Sequence, residues 1–170
     1  GNQGNGKAKF SLETYIQQYY FKQVIASANK RLTMLTDGMF VLRCKETAKN
    51  LKQQVGLDLD VLDRSTGLWR DVSTLSGGES FLASISLALG LSDIVQNGNG
   101  GIQLDSMFID EGFGTLDDNA LSQAVSLLDK ISDNKRLIGI ISHVTELKNR
   151  IDKKIVVSKE AMGSTLKLEI

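Results

Sequence analysis

Two unbroken apolar runs, Met107 to Ile109 and Leu137 to Ile141, flank a stretch from about Asn119 to Ile131 whose apolar residues fall at helical spacing. Nothing else in the chain narrows its fold as much. Strand, helix and strand in that order predict parallel strands joined by a helical crossover, and apolarity that does not alternate predicts burial on both faces. A further short helix from about Thr145 to Arg150 continues the pattern. Lys154 to Ser158 and Thr165 to Ile170 then read as two strands that turn at Met162-Gly163.

The first half is simpler. Leu12, Ile16, Tyr19, Tyr20, Val24, Ala28, Leu32 and Leu35 form one helical stripe that Asp37-Gly38 ends. Met39 to Leu42 and Leu57 to Leu62 read as strands, with a basic loop or weak helix from Arg43 to Gln54 between them. The expected class is α/β, a mostly parallel sheet flanked by helices, in one domain covering 10–170 behind a polar, glycine-rich flexible end at 1–9.

Charge and cysteine usage narrow the function classes. Twenty basic and twenty acidic residues cancel, so contact with nucleic acid must come from a local patch. The candidates are Lys45 to Lys52 and the group Lys148, Arg150, Lys153 and Lys154. The lone cysteine, Cys44, makes no internal disulfide and favours a reducing compartment, with the cytoplasm as the default. No signal-peptide pattern and no apolar run of about 18 residues is read, so no membrane partner is expected.

Chemistry concentrates at three places. In Leu75-Ser76-Gly77-Gly78-Glu79 two glycines open a helix expected from about Glu79 to Val95, although glycine there costs about 1 kcal/mol against alanine. Bare backbone at a helix start makes an anion site, and a phosphate is its natural guest. Ser76 and Glu79 also fit a capping box, which leaves Gly77 and Gly78 without a reason. In parallel sheets ligands lie beyond the carboxyl ends of strands, where Asp110-Glu111 and Ser142-His143 stand. A nucleoside triphosphatase needs a carboxylate for magnesium, a base or water-positioning group, and donors for phosphate. Asp110, Glu111 and His143 supply candidates for these roles. A lysine-bearing phosphate loop is missing: Gly1, Gly6 and Lys7 have its spacing, but Ala8 stands where a hydroxyl is required.

Taken together, these segments resemble motifs of the ATP-binding-cassette ATPases in that family's order. Leu75 to Glu79 resembles the signature motif, Met107 to Glu111 the Walker B strand, Gly114-Thr115-Leu116-Asp117 the D-loop, and Ser142-His143 the switch histidine. Glu79, in place of the glutamine of many transporters, resembles the branch of SMC and DNA-repair ATPases. Gly90-Leu91-Ser92-Asp93, Gly101 to Asp105 and Gly139 to Val144 are similar to the bacterial SbcC family, ATPase subunits of the SbcCD nuclease.

That resemblance implies the carboxyl-terminal half of a P-loop ABC-type head, with the P-loop on an amino-terminal lobe and residues 1–9 near a coiled-coil junction. It implies ATP and Mg2+ as ligands. Asp110 would serve the metal, and Glu111 and His143 the hydrolysis. Ser76, Gly77, Gly78 and Glu79 would meet ATP held by a second head, with Asp117 at the dimer seam. Asp117 or Asp118 is equally a good N-cap for the following helix. The implied partners are the amino-terminal lobe, a second copy of the head, an SbcD-like nuclease and DNA. ATP-driven head dimerisation would gate the nuclease on DNA ends, and the isolated half would be inactive. Alternatives are an SMC-type chromosome-organising scaffold and a transporter-type cassette.

Overall fold

A computed structural model describes residues 12–45, 57–98, 103–132, 137–160 and 163–169. In chain order the elements are α1 (Leu12–Leu35), β1 (Phe40–Cys44), β2 (Leu59–Asp63), β3 (Leu68–Asp71), α2 (Gly77–Asn97), β4 (Ser106–Asp110), α3 (Asp118–Ser132), β5 (Leu137–Ile141), α4 (Thr145–Arg150), β6 (Lys154–Glu160) and β7 (Gly163–Glu169). Single 3-10 turns at Val72–Thr74 and Phe113–Thr115 precede α2 and α3. The polar end at 1–9 and most of the basic stretch after Lys45 lie outside the described residues.

The core forms where the apolar stripes of α1, α2 and α3 converge with the inner residues of the strands. Leu32 and Leu35 of α1, Leu82, Ile85 and Leu89 of α2, and Leu121, Val125 and Leu128 of α3 are buried together with Leu42, Val61, Ile109 and Phe113. Two polar devices fix α1 against its neighbours. The Arg31 guanidinium donates to both carboxylate oxygens of Asp93 on α2 at 2.7 and 3.1 Å, and Ser27 Oγ donates to Asp93 Oδ2 at 2.6 Å. The Asn29 amide bonds both ways with the Leu42 backbone at 2.8 and 2.9 Å, occupying peptide groups that β1 would otherwise leave open.

The strands form three separate sheets among the described residues. β1, β2 and β3 pair antiparallel in that order, with Phe40 opposite Asp63 and Asp60 opposite Asp71. β4 and β5 pair parallel, Ser106 opposite Leu137 and Asp110 opposite Ile141, and β6 pairs antiparallel with β7. The α/β class and the helical crossover through α3 match the reading from sequence, but parallel pairing is confined to β4 and β5. A parallel neighbour needs a long crossover, and α3 is the described helix that joins two paired strands.

Two expectations need correction. Burial on both faces of β4 and β5 is not observed: Ile109 is buried, whereas Phe108, Leu137 and Ile141 are 68%, 64% and 55% exposed. The helices cover one face and leave the other open. In addition, α2 is long and apolar enough to cross a membrane by length and composition, with a mean hydropathy of 1.3. Its serines and glycines interrupt the apolar run, so the sequence does not read as one stretch. In the fold Leu82, Ile85 and Leu89 of that helix enter the core.

Candidate functional site

The in-register pair β4 and β5 delivers its two carboxyl ends side by side. The ladder continues one step beyond the strands, where Glu111 N–H donates to the Ile141 carbonyl at 2.9 Å. Glu111 then takes φ 59° and Gly112 φ 97°, so the chain leaves the sheet through two left-handed residues. Such a conformation is uncommon for glutamate. Gly112 has a second constraint, because a Cβ there would run into the Phe81 ring on α2. Phe113, the next residue, is buried edge-on against Phe81, with ring centroids 4.8 Å apart.

The Glu111 carboxylate and the His143 ring meet across the strand ends, Oε2 to Nδ1 at 2.9 Å. Both side chains are exposed, at 50% and 81%. Asp110, the last residue of β4, is exposed beside them. No group of three or more metal-ligating side chains occurs among the described residues. That donor set still suits magnesium, which keeps several waters and takes one or two carboxylates plus substrate phosphates. It does not suit a metal that requires an all-protein cage.

The start of α2 forms the second part of the site. Ser76 is the N-cap: Glu79 N–H donates to Ser76 Oγ at 3.3 Å, and Ser76 N–H donates to Glu79 Oε2 at 2.8 Å. The capping box is therefore real. Both glycines are expected from sequence to admit a ligand, and at Gly78 that space is already taken. A Cβ on Gly78 would lie 2.8 Å from the Thr115 carbonyl oxygen, too close for any side chain, whereas one on Gly77 would meet Thr115 at 3.4 Å. Gly78 lets the 112–117 loop seat against the helix, and Gly77 stays exposed.

Asp117 ends that loop as the N-cap of α3, its Oδ1 accepting Ala120 N–H at 2.8 Å. An open cleft of about 300 Å³ runs beside these residues, bordered by Ser76, Gly78, Glu79, Thr115, Asp117 and Gln123. Two clusters thus result: Asp110, Glu111 and His143 at the strand ends, and Ser76 to Glu79 with Thr115 to Asp117 at the start of α2. The loop 112–117 belongs to both.

Arg70 on β3 is the residue that sequence reasoning misses. Its guanidinium donates to Thr74 Oγ1 at 2.7 Å and to Asp63 Oδ2 at 3.4 Å, and lies 3.8 Å from Glu79 Oε2. The signal is faint, a single arginine in Leu68-Trp69-Arg70-Asp71, a run without alternation. Nearby, Lys45 reaches Asp71 at 2.7 Å and Asp60 at 3.7 Å. The Lys45 ammonium and the Ser73 N–H and hydroxyl hold the Asp71 carboxyl well below its ordinary range. Of the two basic patches, Lys49 and Lys52 lie outside the described residues. Arg150 bonds Ser122, and Lys154 bonds the Lys148 carbonyl.

Residues 47–130 match the family described as SbcC/RAD50-like, Walker B motif. The chain is SbcC/RAD50-like. Over 166 residues, 96% of the chain, it is 49% identical to the SbcC polypeptide of the SbcCD nuclease from Vibrio cholerae serotype O1. Over 161 residues, 95% of the chain, it is 46% identical to the corresponding polypeptide of Treponema pallidum. This SbcC/RAD50-like chain spans only 16% and 15% of the length of those two relatives.

The fold is similar to that of SMC head domains. A chain solved in work on ATP-driven dimerization and DNA-stimulated activation of SMC ATPases superposes with a TM-score of 0.69 at 15% identity, covering 91% of this chain and 88% of that one. The Smc head domain of Pyrococcus furiosus, with an extended coiled coil and bound to the C-terminal domain of ScpA, gives 0.65 at 16% identity, covering 92% of this chain and 37% of that one.

Proposed function

We propose that this SbcC/RAD50-like segment is the carboxyl-terminal lobe of an ATPase head in an SbcCD-type nuclease, and that ATP is held between two such heads. The observation that carries the reading is the contact of Glu111 with His143, 2.9 Å apart at the ends of adjacent parallel strands. A carboxylate oriented by an imidazole beside a second, exposed carboxylate supplies two of the groups that magnesium-assisted phosphoryl transfer to water uses, a water-activating base and a metal carboxylate.

In this reading Asp110 would hold magnesium, whose charge would offset that of the phosphates when it is bound. Glu111 removes a proton from the attacking water as the bond to the terminal phosphorus forms and ADP leaves. Its Oε2 is engaged by His143, which leaves Oε1 for the water. Nδ1 of His143 stays on Glu111, and Nε2 is the ring nitrogen left to face a terminal phosphate oxygen. Ser76, Gly77, Gly78 and Glu79 form the lid over a nucleotide held by the opposite head, and Asp117 lies at the seam. Phosphate release removes the link between heads.

The partners that follow are an amino-terminal lobe carrying the P-loop, a second copy of the head, an SbcD-like nuclease and DNA, in the cytoplasm and away from membranes. Head engagement gates the nuclease on DNA ends. The names of the relatives support the nuclease partner, and the Leu75 to Glu79 cap supports the second head.

The test is Glu111→Gln in the full-length protein. Steady-state ATP turnover should fall by about 100-fold or more, the usual contribution of a positioned general base, while ATP binding persists. Unchanged turnover would remove Glu111 from this role. A companion assay mixes the chain with a matching amino-terminal lobe. Turnover should appear only on mixing, and magnesium-dependent hydrolysis by the chain alone would sink the split-head reading.

A further inference from the structure

The start of α2 carries an electrostatic conflict. A helix N-terminus attracts a phosphate through its free amides and dipole. Glu79 places a carboxylate in the same first turn, where it stabilises the helix but repels an incoming anion. Its Oε2 is fixed by the Ser76 N–H at 2.8 Å and so stays close to the serine proposed to meet ATP.

Arg70 faces that same oxygen at 3.8 Å. Its side chain is only 27% exposed and its position is over-determined. Thr74 Oγ1 accepts from Nη1 at 2.7 Å, Asp63 accepts from Nη2 at 3.4 Å, and the guanidinium lies 5.7 Å from the centre of the Phe40 ring. A cation held from three other sides cannot follow Glu79 if that side chain moves. It therefore defines where the carboxylate rests and offsets its charge. β3 is short, and its pairing with β2 places Arg70 opposite Val61, at the base of the 3-10 turn that leads into Ser76.

We infer that Arg70 is a positioning residue for the signature segment: by pairing with Glu79 it keeps the capping box closed and lets a helix start that carries a glutamate accept a triphosphate. The inference rests on the reading that Ser76 to Glu79 meet ATP. A neutral glutamine at position 79 would need no such counter-ion, so the requirement for Arg70 is tied to the charge of Glu79 and not to the hairpin alone.

The experiment measures KM and kcat for ATP in the full-length protein carrying R70Q, R70K, E79Q and the double variant R70Q/E79Q, with thermal melting of each. R70Q should raise KM about fivefold, the scale of one charge at a helix start, with kcat within about twofold. R70K, which keeps the charge and loses the fork, should fall between R70Q and wild type. The decisive comparison is the double variant, whose KM should return to within about twofold of E79Q alone, since coupled neighbours depart from additivity. An unchanged KM in R70Q overturns the inference. So do multiplied defects in the double variant, or a lowered melting temperature with no recovery of KM, because each assigns Arg70 to the hairpin. S76R separates the two levels. If turnover survives S76R, the signature does not meet ATP and both readings fall. If S76R abolishes turnover while R70Q is silent, only the role of Arg70 falls.

Discussion

Thr115 places its carbonyl oxygen where a side chain at position 78 would begin, and that contact decides what each signature glycine does. Gly78→Ala should push the 112–117 loop off α2 and destabilise the fold by about 1–3 kcal/mol, the range for overpacked sites. Gly77→Ala meets Thr115 at 3.4 Å, and the alanine offsets any small shift with its better helix propensity, so its melting temperature should stay near wild type. Thermal melts of the two variants side by side check the contrast. Asp71 offers a second test. Its folded carboxyl is lowered from 3.8, first by the hydrogen bond from Lys45 and then by Ser73. A lowered carboxyl contributes stability that is complete above its ordinary value and fades as pH falls below it. Asp71→Asn should therefore narrow the gap in melting temperature between pH 6 and pH 3. At this scale the Ser76–Glu79 cap was legible because its partners sit three apart. Gly78 was not, since its reason lies in a loop far along the chain. Arg70 was not, because only the β2–β3 hairpin and the turn after it bring it to Glu79.

Between elements, the junction of α1 and α2 is the most constrained. Arg31 and Asp93 are mostly buried, with side chains 19% and 26% exposed, and Ser27 also donates to the carboxylate. Asp93→Ala leaves a guanidinium without that partner inside a packed seam. The guanidinium keeps Ser27 Oγ as an acceptor at 3.3 Å, so a loss of about 1–3 kcal/mol follows for the missing partner, readable as a shift in urea midpoint with little change in slope. Helices were the legible elements: the stripes of α1, α2 and α3 each repeat over three or more turns, and the observed bounds fall within about two residues of those read from sequence. β3 was not legible. Its four residues show no alternation, with Leu68 and Trp69 exposed, and it exists by pairing with β2. The open face of β4 and β5 was misread for the opposite reason, since their continuous apolarity anticipates a covering that the described residues do not provide.

At the scale of the whole molecule, several large apolar side chains of the described residues lie open to solvent on two of the sheets. Phe108, Leu137 and Ile141 lie open on one sheet. On the β6–β7 hairpin, Ile155 opposite Leu168 and Val157 opposite Leu166 form an exposed apolar ladder, each residue more than 60% exposed. A two-stranded sheet is marginal in water without further cover. The chain alone should therefore bind an apolar dye such as ANS strongly, and a matching amino-terminal lobe should displace much of that dye. Equal fluorescence with and without the lobe would show that it does not cover these faces.

The meeting of Gly78 with the Thr115 carbonyl has one more consequence. It brings main chain against main chain, with no rotatable side group between, so a displacement of a few tenths of an ångström on either side has nowhere to be absorbed. The strand-end carboxylates feed into that loop from one direction and the capped helix approaches from the other. The two clusters therefore share one loop whose seat is set from both ends, by the left-handed exit at Glu111 and Gly112 and by the bare backbone at Gly78.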